Sequence, residues 1–136
     1  MILPESFVDT SAWFELFTQE NAQRAAAFSK IWWAKKYQFV TSDFVIDELF
    51  TLLRSRRFNF MTAHAWNVIN DADNVKRLTF SREDVDQTFA LFQKFSDKKW
   101  SFTDCSSYLL IKRHAIPFAC AFNGHFKEFG IVTVLP

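Results

Sequence analysis

Glycine and proline are scarce in this sequence, with two glycines and three prolines in 136 residues. That excludes a collagen-like chain and argues against an all-β architecture with many tight turns. Cysteine is equally rare. Cys105 and Cys120 have no neighbouring cysteine or histidine at zinc-finger spacing, and two thiols suit a reduced chain better than a disulfide-stapled one. No run approaches the ~18–20 uninterrupted apolar residues of a membrane helix. The chain opens Met1-Ile2-Leu3-Pro4-Glu5, without the basic-then-apolar pattern of a leader. A cytoplasmic location and no membrane partner are therefore expected. Excess charge is missing too. Sixteen basic and fifteen acidic residues leave a net charge of +1, which excludes a strongly basic nucleic-acid scavenger while leaving room for a local basic patch.

What is plentiful is apolar. Hydrophobic residues make up 49% of the chain, with eighteen phenylalanines and five tryptophans. Such rings belong in a core or at an interface, because aromatic surface left in water is a liability. No linker, repeat or low-complexity segment divides the chain, so residues 1–136 are expected to form one domain.

Short β-type runs alternate with helical patterns. Strands are expected at Ser6–Val8, Tyr37–Thr41, Val75–Thr79, Pro117–Phe122 and Ile131–Leu135. A helix begins at Ala12 behind the capping residues Thr10 and Ser11, and an alanine-rich one runs unbroken from Glu20 to Lys36. Ser42 caps a helix to about Ser55, and another spans Phe60 to Asp71. Ser81-Arg82-Glu83-Asp84 and Ser101-Phe102-Thr103-Asp104 both have the form of a capping box with Asp as its acid. They start helices to about Phe95 and His114. This alternation predicts an α/β fold with a mostly parallel sheet of about five strands. In such sheets ligands bind beyond the carboxyl ends of the strands, near a topological switch point.

Three acids stand at such places. Asp9 follows the first strand at once, where it serves equally well as a helix cap. Glu48 lies four residues after Phe44 and four before Leu52, inside the apolar stripe of its helix. A carboxylate there needs an arginine partner, a metal, or a stripe edge that reaches water. Asp104 occupies a first helical turn, which the helix dipole alone would favour. As a set they carry more. Crowded carboxylates raise one another's pKa unless a cation neutralises them, and hard oxygen ligands suit Mg2+ or Mn2+.

Phe7-Val8-Asp9-Thr10-Ser11, Thr41-Ser42-Asp43-Phe44-Val45-Ile46-Asp47-Glu48-Leu49, Ser101-Phe102-Thr103-Asp104-Cys105 and Ala121-Phe122-Asn123-Gly124-His125-Phe126 stand in that order along the chain. In series they closely resemble the motifs of PIN domains, and more narrowly the compact toxin ribonucleases of the VapC type. The resemblance implies a three-layer α/β/α sandwich. It also implies a Mg2+-dependent endoribonuclease, with Mn2+ a possible substitute, in which Asp9, Glu48 and Asp104 hold the metal. The family's last motif usually has aspartate where this chain has Asn123. An amide oxygen at this fourth position brings no charge, so a weaker second metal site is the expected consequence. Ser11 and Thr103 are cast as hydroxyls that orient carboxylates or waters, and His125 as a packing residue in preference to a phosphate contact.

Arg54, Arg56, Arg57, Lys98 and Lys99 are the cations expected to meet RNA phosphates, with Trp100 available to stack on unpaired bases. Each could equally be a surface charge or a core ring. Phe28, Trp32, Trp33, Phe58, Phe60, Met61 and Trp66 exceed what one helical stripe buries. The resemblance makes them an interface for an antitoxin or for a second copy in a homodimer. Two rivals remain open: a housekeeping RNA-processing nuclease of the same fold, and a catalytically silent binding module. A small-ligand domain is disfavoured by the absence of a glycine-rich phosphate loop, since Gly124 and Gly130 both come late.

Overall fold

The computed structural model describes residues 2–136. Strands β1 (Glu5–Val8), β2 (Gln38–Ser42), β3 (Val75–Leu78), β4 (Phe118–Cys120) and β5 (Thr133–Leu135) form one parallel sheet in the order β3-β2-β1-β4-β5. The helices are α1 (Thr10–Thr18), α2 (Ala22–Trp33), α3 (Asp43–Ser55), α4 (Thr62–Asp71), α5 (Arg82–Lys94), α6 (Phe102–His114) and α7 (His125–Glu128). The expected α/β/α sandwich with five parallel strands is what the chain forms. The central strand is β1. The chain builds outward from it to β2 and β3, then crosses to β4 and β5, so the switch point lies between β1 and β4.

Strand register explains where the aromatics went. Phe7 pairs with Val40 and Ser6 with Phe39, so Phe7 and Phe39 face opposite sides of the sheet. On the Phe39 side, Trp32 stacks on that ring at 5.1 Å and Trp13 meets Trp32 edge-on at 5.7 Å. Trp13 Nε1 also donates to Thr41 Oγ1, so its one polar atom is satisfied inside the core. On the Phe7 side, Phe126 packs on Phe7, Phe129 on Phe126, and Trp100 on Phe129. Each ring fully buried this way contributes about 2–3 kcal/mol.

Several expectations are corrected. Trp100 is only 5% exposed, with its Nε1 donating to Glu128 Oε1, and cannot stack on RNA. Phe28 and Trp32 are core, whereas Trp33, Phe60 and Trp66 are exposed. The second helix is shorter than Glu20–Lys36. Asn21 caps it by accepting the Arg24 N–H, and the left-handed Lys35 follows its end. Phe60 lies in a single 3-10 turn, Asn59–Met61, before α4 begins. The strand expected at 117–122 is trimmed to Phe118–Cys120, because its partner β1 ends at Val8, opposite Cys120. The helix α7 is four residues long and has no periodic signature in the sequence. With glycine so scarce, Gln19, Lys35, Arg57 and Ala115 take up left-handed backbone, at roughly 1 kcal/mol each. Among the described residues no helix is long and apolar enough to cross a membrane.

Candidate active site

At the switch point the Asp9 N–H donates to the Cys120 carbonyl, which brings the ends of β1 and β4 together. Beyond them opens a cleft of roughly 570 Å³ lined by Asp9, Thr10, Ser11, Glu48, Thr103 and Asn123, with α3 supplying Asp47, Thr51, Leu52 and Ser55. Asp9 caps α1, its Oδ2 accepting the Ser11 N–H at 3.3 Å and the Ser11 hydroxyl at 2.8 Å. Ser11 Oγ in turn accepts the Phe122 N–H. The carboxyl is pushed up to about 7. Burial is the largest cause, and the charges of Asp104 and Glu48 add to it against the lowering effect of Ser11.

Asp104 is buried at the third position of α6. Its Oδ2 accepts the Ser101 N–H at 3.0 Å, and Ser101 Oγ accepts the Asp104 N–H at 3.0 Å, closing the capping box. His125 Nδ1 stands 2.7 Å from the same Oδ2. His125 is therefore a carboxylate partner, not the packing residue expected. Glu48 is half-buried on the cleft wall, and among the described residues no lysine, arginine or histidine pairs with it. The arginine-paired alternative for this acid is excluded. Asp43, by contrast, is paired with Arg77 at 2.8 Å.

Asn123 also turns toward Asp9, but through its nitrogen: Nδ2 donates to Asp9 Oδ2 at 2.7 Å. Thr103 borders the cleft, and its carbonyl accepts the Ser106 hydroxyl. None of the five expected RNA-binding cations lines the cleft. Arg54 lies in the adjoining groove, Arg56 pairs with Glu20, and Arg57, Lys98 and Lys99 are exposed. A sixth cation reaches the segment that leads into Asn123. The Arg24 guanidinium lies 5.5 Å over the Phe122 ring, next to Asn123, and no carboxylate among the described residues pairs with it. Nothing in the sequence marked it, since the contact spans two distant segments.

The donor set fits a hard divalent cation. Among the described residues no hydrogen-bond donor stands on Oδ1 of Asp9 or of Asp104; Asp9 lines the cleft, whereas Asp104 is buried next to the lining residue Thr103 and does not itself line it. Glu48 supplies a further carboxylate on the cleft wall. Thr10 Oγ1, also on the cleft wall, is buried without a partner. Among the described residues, no three acid, histidine or cysteine side chains stand drawn together tightly enough to hold an ion as they are.

Across α3 lies an apolar groove of roughly 780 Å³ between α3 and α4, walled by Ile46, Phe50, Trp66 and Arg54. It shares Asp47, Thr51 and Ser55 with the acid cleft.

The model of the PIN domain family matches residues 6–132. The chain is 30% identical over 130 residues to the 23S rRNA-specific endonuclease VapC20 of Mycobacterium tuberculosis, covering 96% of this chain and 98% of that protein. The crystal structure of that toxin, described as sarcin-ricin loop cleaving, is similar with a TM-score of 0.85 at 28% identity, covering 96% of this chain and 98% of that one. VapBC2 from Rickettsia felis, bound to a promoter DNA fragment, shares the fold at 11% identity and a TM-score of 0.68, over 96% of each chain. So does a toxin-antitoxin complex from Klebsiella pneumoniae at 17% identity and a TM-score of 0.62, again over 96% of each chain.

Proposed function

The chain belongs to the PIN domain family, and from that premise we propose that it is a divalent-metal-dependent endoribonuclease. It acts in the cytoplasm as the toxin of a toxin–antitoxin pair, with residues 1–136 as one catalytic unit. The observation that carries the reading is Asp9, whose carboxyl is buried beside two like charges and pushed up to about 7. Such an arrangement is costly in a stable fold and useful in a site that recruits a cation.

Asp9, Glu48 and Asp104 hold the ion, Mg2+ in the cell and Mn2+ as a substitute. Held there, such an ion would supply Lewis acidity for activating a water and for drawing charge from a phosphate. The chain's own residues do the rest. Ser11 fixes the Asp9 carboxylate, the capping box fixes Asp104, and Glu48 extends from α3 as the third wall. Arg24 and Arg54 flank the cleft and its groove, where they meet substrate phosphates. Arg56, Arg57, Lys98 and Lys99 add a weaker, salt-sensitive attraction.

The rRNA specificity of the M. tuberculosis relative supports a structured ribosomal RNA loop as the substrate class. The toxin–antitoxin assemblies among the structural neighbours support an antitoxin partner, and the apolar α3–α4 groove is the surface on which it seats a segment in this reading. From there an arginine reaches the acids and takes the cation's place. The exposed Trp33, beside a second apolar hollow walled by Leu16 and Trp32, supports a homodimer face.

The test is cleavage of a ribosomal loop oligonucleotide by the purified chain with Mg2+, Mn2+ or chelator, with and without its antitoxin. Cleavage with either metal, lost with chelator and suppressed by antitoxin, is expected. A wild-type chain inert with both metals overturns the enzyme in favour of a binding module.

A further inference from the structure

Two side chains of one turn, Asn123 and His125, reach two different acids, Asp9 on the cleft wall and Asp104 next to the wall residue Thr103. Asn123 Nδ2 donates to Asp9 Oδ2 at 2.7 Å, and His125 Nδ1 meets Asp104 Oδ2 at 2.7 Å. The turn is latched from within, because Asn123 Oδ1 accepts the His125 N–H at 3.0 Å. That bond fixes the amide's orientation, since the flipped amide would set an NH2 group against the His125 N–H, donor on donor. The Asn123 oxygen is thus engaged inside the turn. Its nitrogen has no lone pair to offer a cation, and it faces Asp9.

Every donor to the two acids falls on the same kind of atom. Ser11 and Asn123 take Asp9 Oδ2, while Ser101 and His125 take Asp104 Oδ2. Among the described residues, the Oδ1 of each is left without a donor. Metal-binding side chains are oriented by such outer partners, and removing one typically costs 10–100-fold in affinity.

Building on the nuclease reading, we propose that the turn 123–125 is a donor clamp presenting Oδ1 of Asp9 and of Asp104 to a single divalent cation, with Asn123 orienting Asp9 without ligating and His125 positioning Asp104. The clamp accounts for the asparagine. A carboxylate at 123 would stand 2.7 Å from Asp9, adding a further like charge that a proton shared with Asp9 or a second cation must offset.

Titrating the full chain with Mn2+ alone, without RNA, tests this by calorimetry and by the magnetic resonance of free Mn2+. One Mn2+ per chain is expected for wild type and two for Asn123→Asp. His125→Ala should weaken affinity 10–100-fold. His125→Asn should restore most of it, because its amide nitrogen takes the position of Nδ1, and His125→Gln should not. The Asn and Gln variants carry the test should the alanine variant fail to fold. Two ions on wild type, unchanged affinity in His125→Ala, or equal affinities for the Asn and Gln variants overturn the clamp while leaving the nuclease standing. No Mn2+ on wild type overturns both.

Discussion

Helices α5 and α6 open with the same four-residue figure, Ser81-Arg82-Glu83-Asp84 and Ser101-Phe102-Thr103-Asp104. In both, the serine hydroxyl accepts the aspartate N–H and the aspartate Oδ2 accepts the serine N–H, at 3.0–3.1 Å throughout. What stands across from each differs. Asp84 Oδ1 meets Arg113 at 2.7 Å, and the same guanidinium reaches Gln87 at 3.0 Å, closing a clasp between α5 and α6. The Ser81 N–H and then Arg113 hold the Asp84 carboxyl below the usual range. Asp104 is buried, meets His125 and, among the described residues, no arginine, and adds its charge to the pressure on Asp9. Capping explains where both acids sit. What each can do depends on whether a fixed cation of the chain already uses its charge.

The sharpest way to break the comparison is to neutralise each acid in turn. In Asp104→Asn the side-chain oxygen still accepts the Ser101 N–H, so the cap survives and the charge is lost. RNA cleavage should fall about a thousandfold, roughly 4 kcal/mol of barrier, the upper range for removing one preorganised electrostatic group. Its melting temperature should barely move. Asp84→Asn should cleave at the wild-type rate and lose about 1 kcal/mol of stability. Single-turnover cleavage with thermal melts reads both. Equal loss of cleavage in the two variants would remove the distinction.

Acidity separates the two regions with opposite sign. In metal-free protein the folded Asp9 pKa lies near 7, raised from 3.8. Between about pH 4 and 7 the unfolded chain has released this proton and the native state still holds it. Stability therefore falls as pH rises, and the loss is complete above 7. Asp84, lowered in the native state, contributes stability that is present above its unfolded pKa and lost as pH drops through the native value. Asp9→Asn should thus flatten the neutral-side decline and be the more stable protein at pH 8. A three-unit displacement sets a ceiling of about 4 kcal/mol, and about 2 kcal/mol is expected after imperfect replacement of the Ser11 bonds. Urea unfolding at pH 5 and pH 8, free of metal, measures it. A wild type whose stability stays flat over that interval would show Asp9 already ionised.

The parts of this contrast differ in how far the sequence announces them. Capping serines are local chemistry, so Ser42, Ser81 and Ser101 marked three helix starts correctly. Buried parallel strands read as short apolar runs, which placed Asp9 just past β1. The resemblance to PIN motifs then joined acids that no periodicity could connect. Long-range contacts were not legible. Trp100 is buried because α7 and Phe129 fold over it, and α7 is too short to show a period. The His125–Asp104 bond joins residues 21 apart, and the Arg24–Phe122 contact depends on how α2 lies beside the β4 loop. The two capping boxes are indistinguishable as sequence, because Arg113 lies at the far end of α6, 29 residues from the acid it neutralises.

The smallest effect is also the cleanest control on the clasp. Arg113 is partly exposed, as is its bond to Asp84, so water screens the attraction and two side chains must be held still to make it. Arg113→Ala should cost about 0.5–1 kcal/mol, a fall of a few degrees in Tm. In Asp84→Asn the same truncation should cost less, because the charge it served is gone; a double-mutant cycle measures that coupling. RNA cleavage and Mn2+ affinity should stay at wild-type values in both, since Arg113 lies outside the acid cleft. A drop in Mn2+ affinity would mean that the α5–α6 clasp holds Asp104 in register, tying the structural cap to the chemical one.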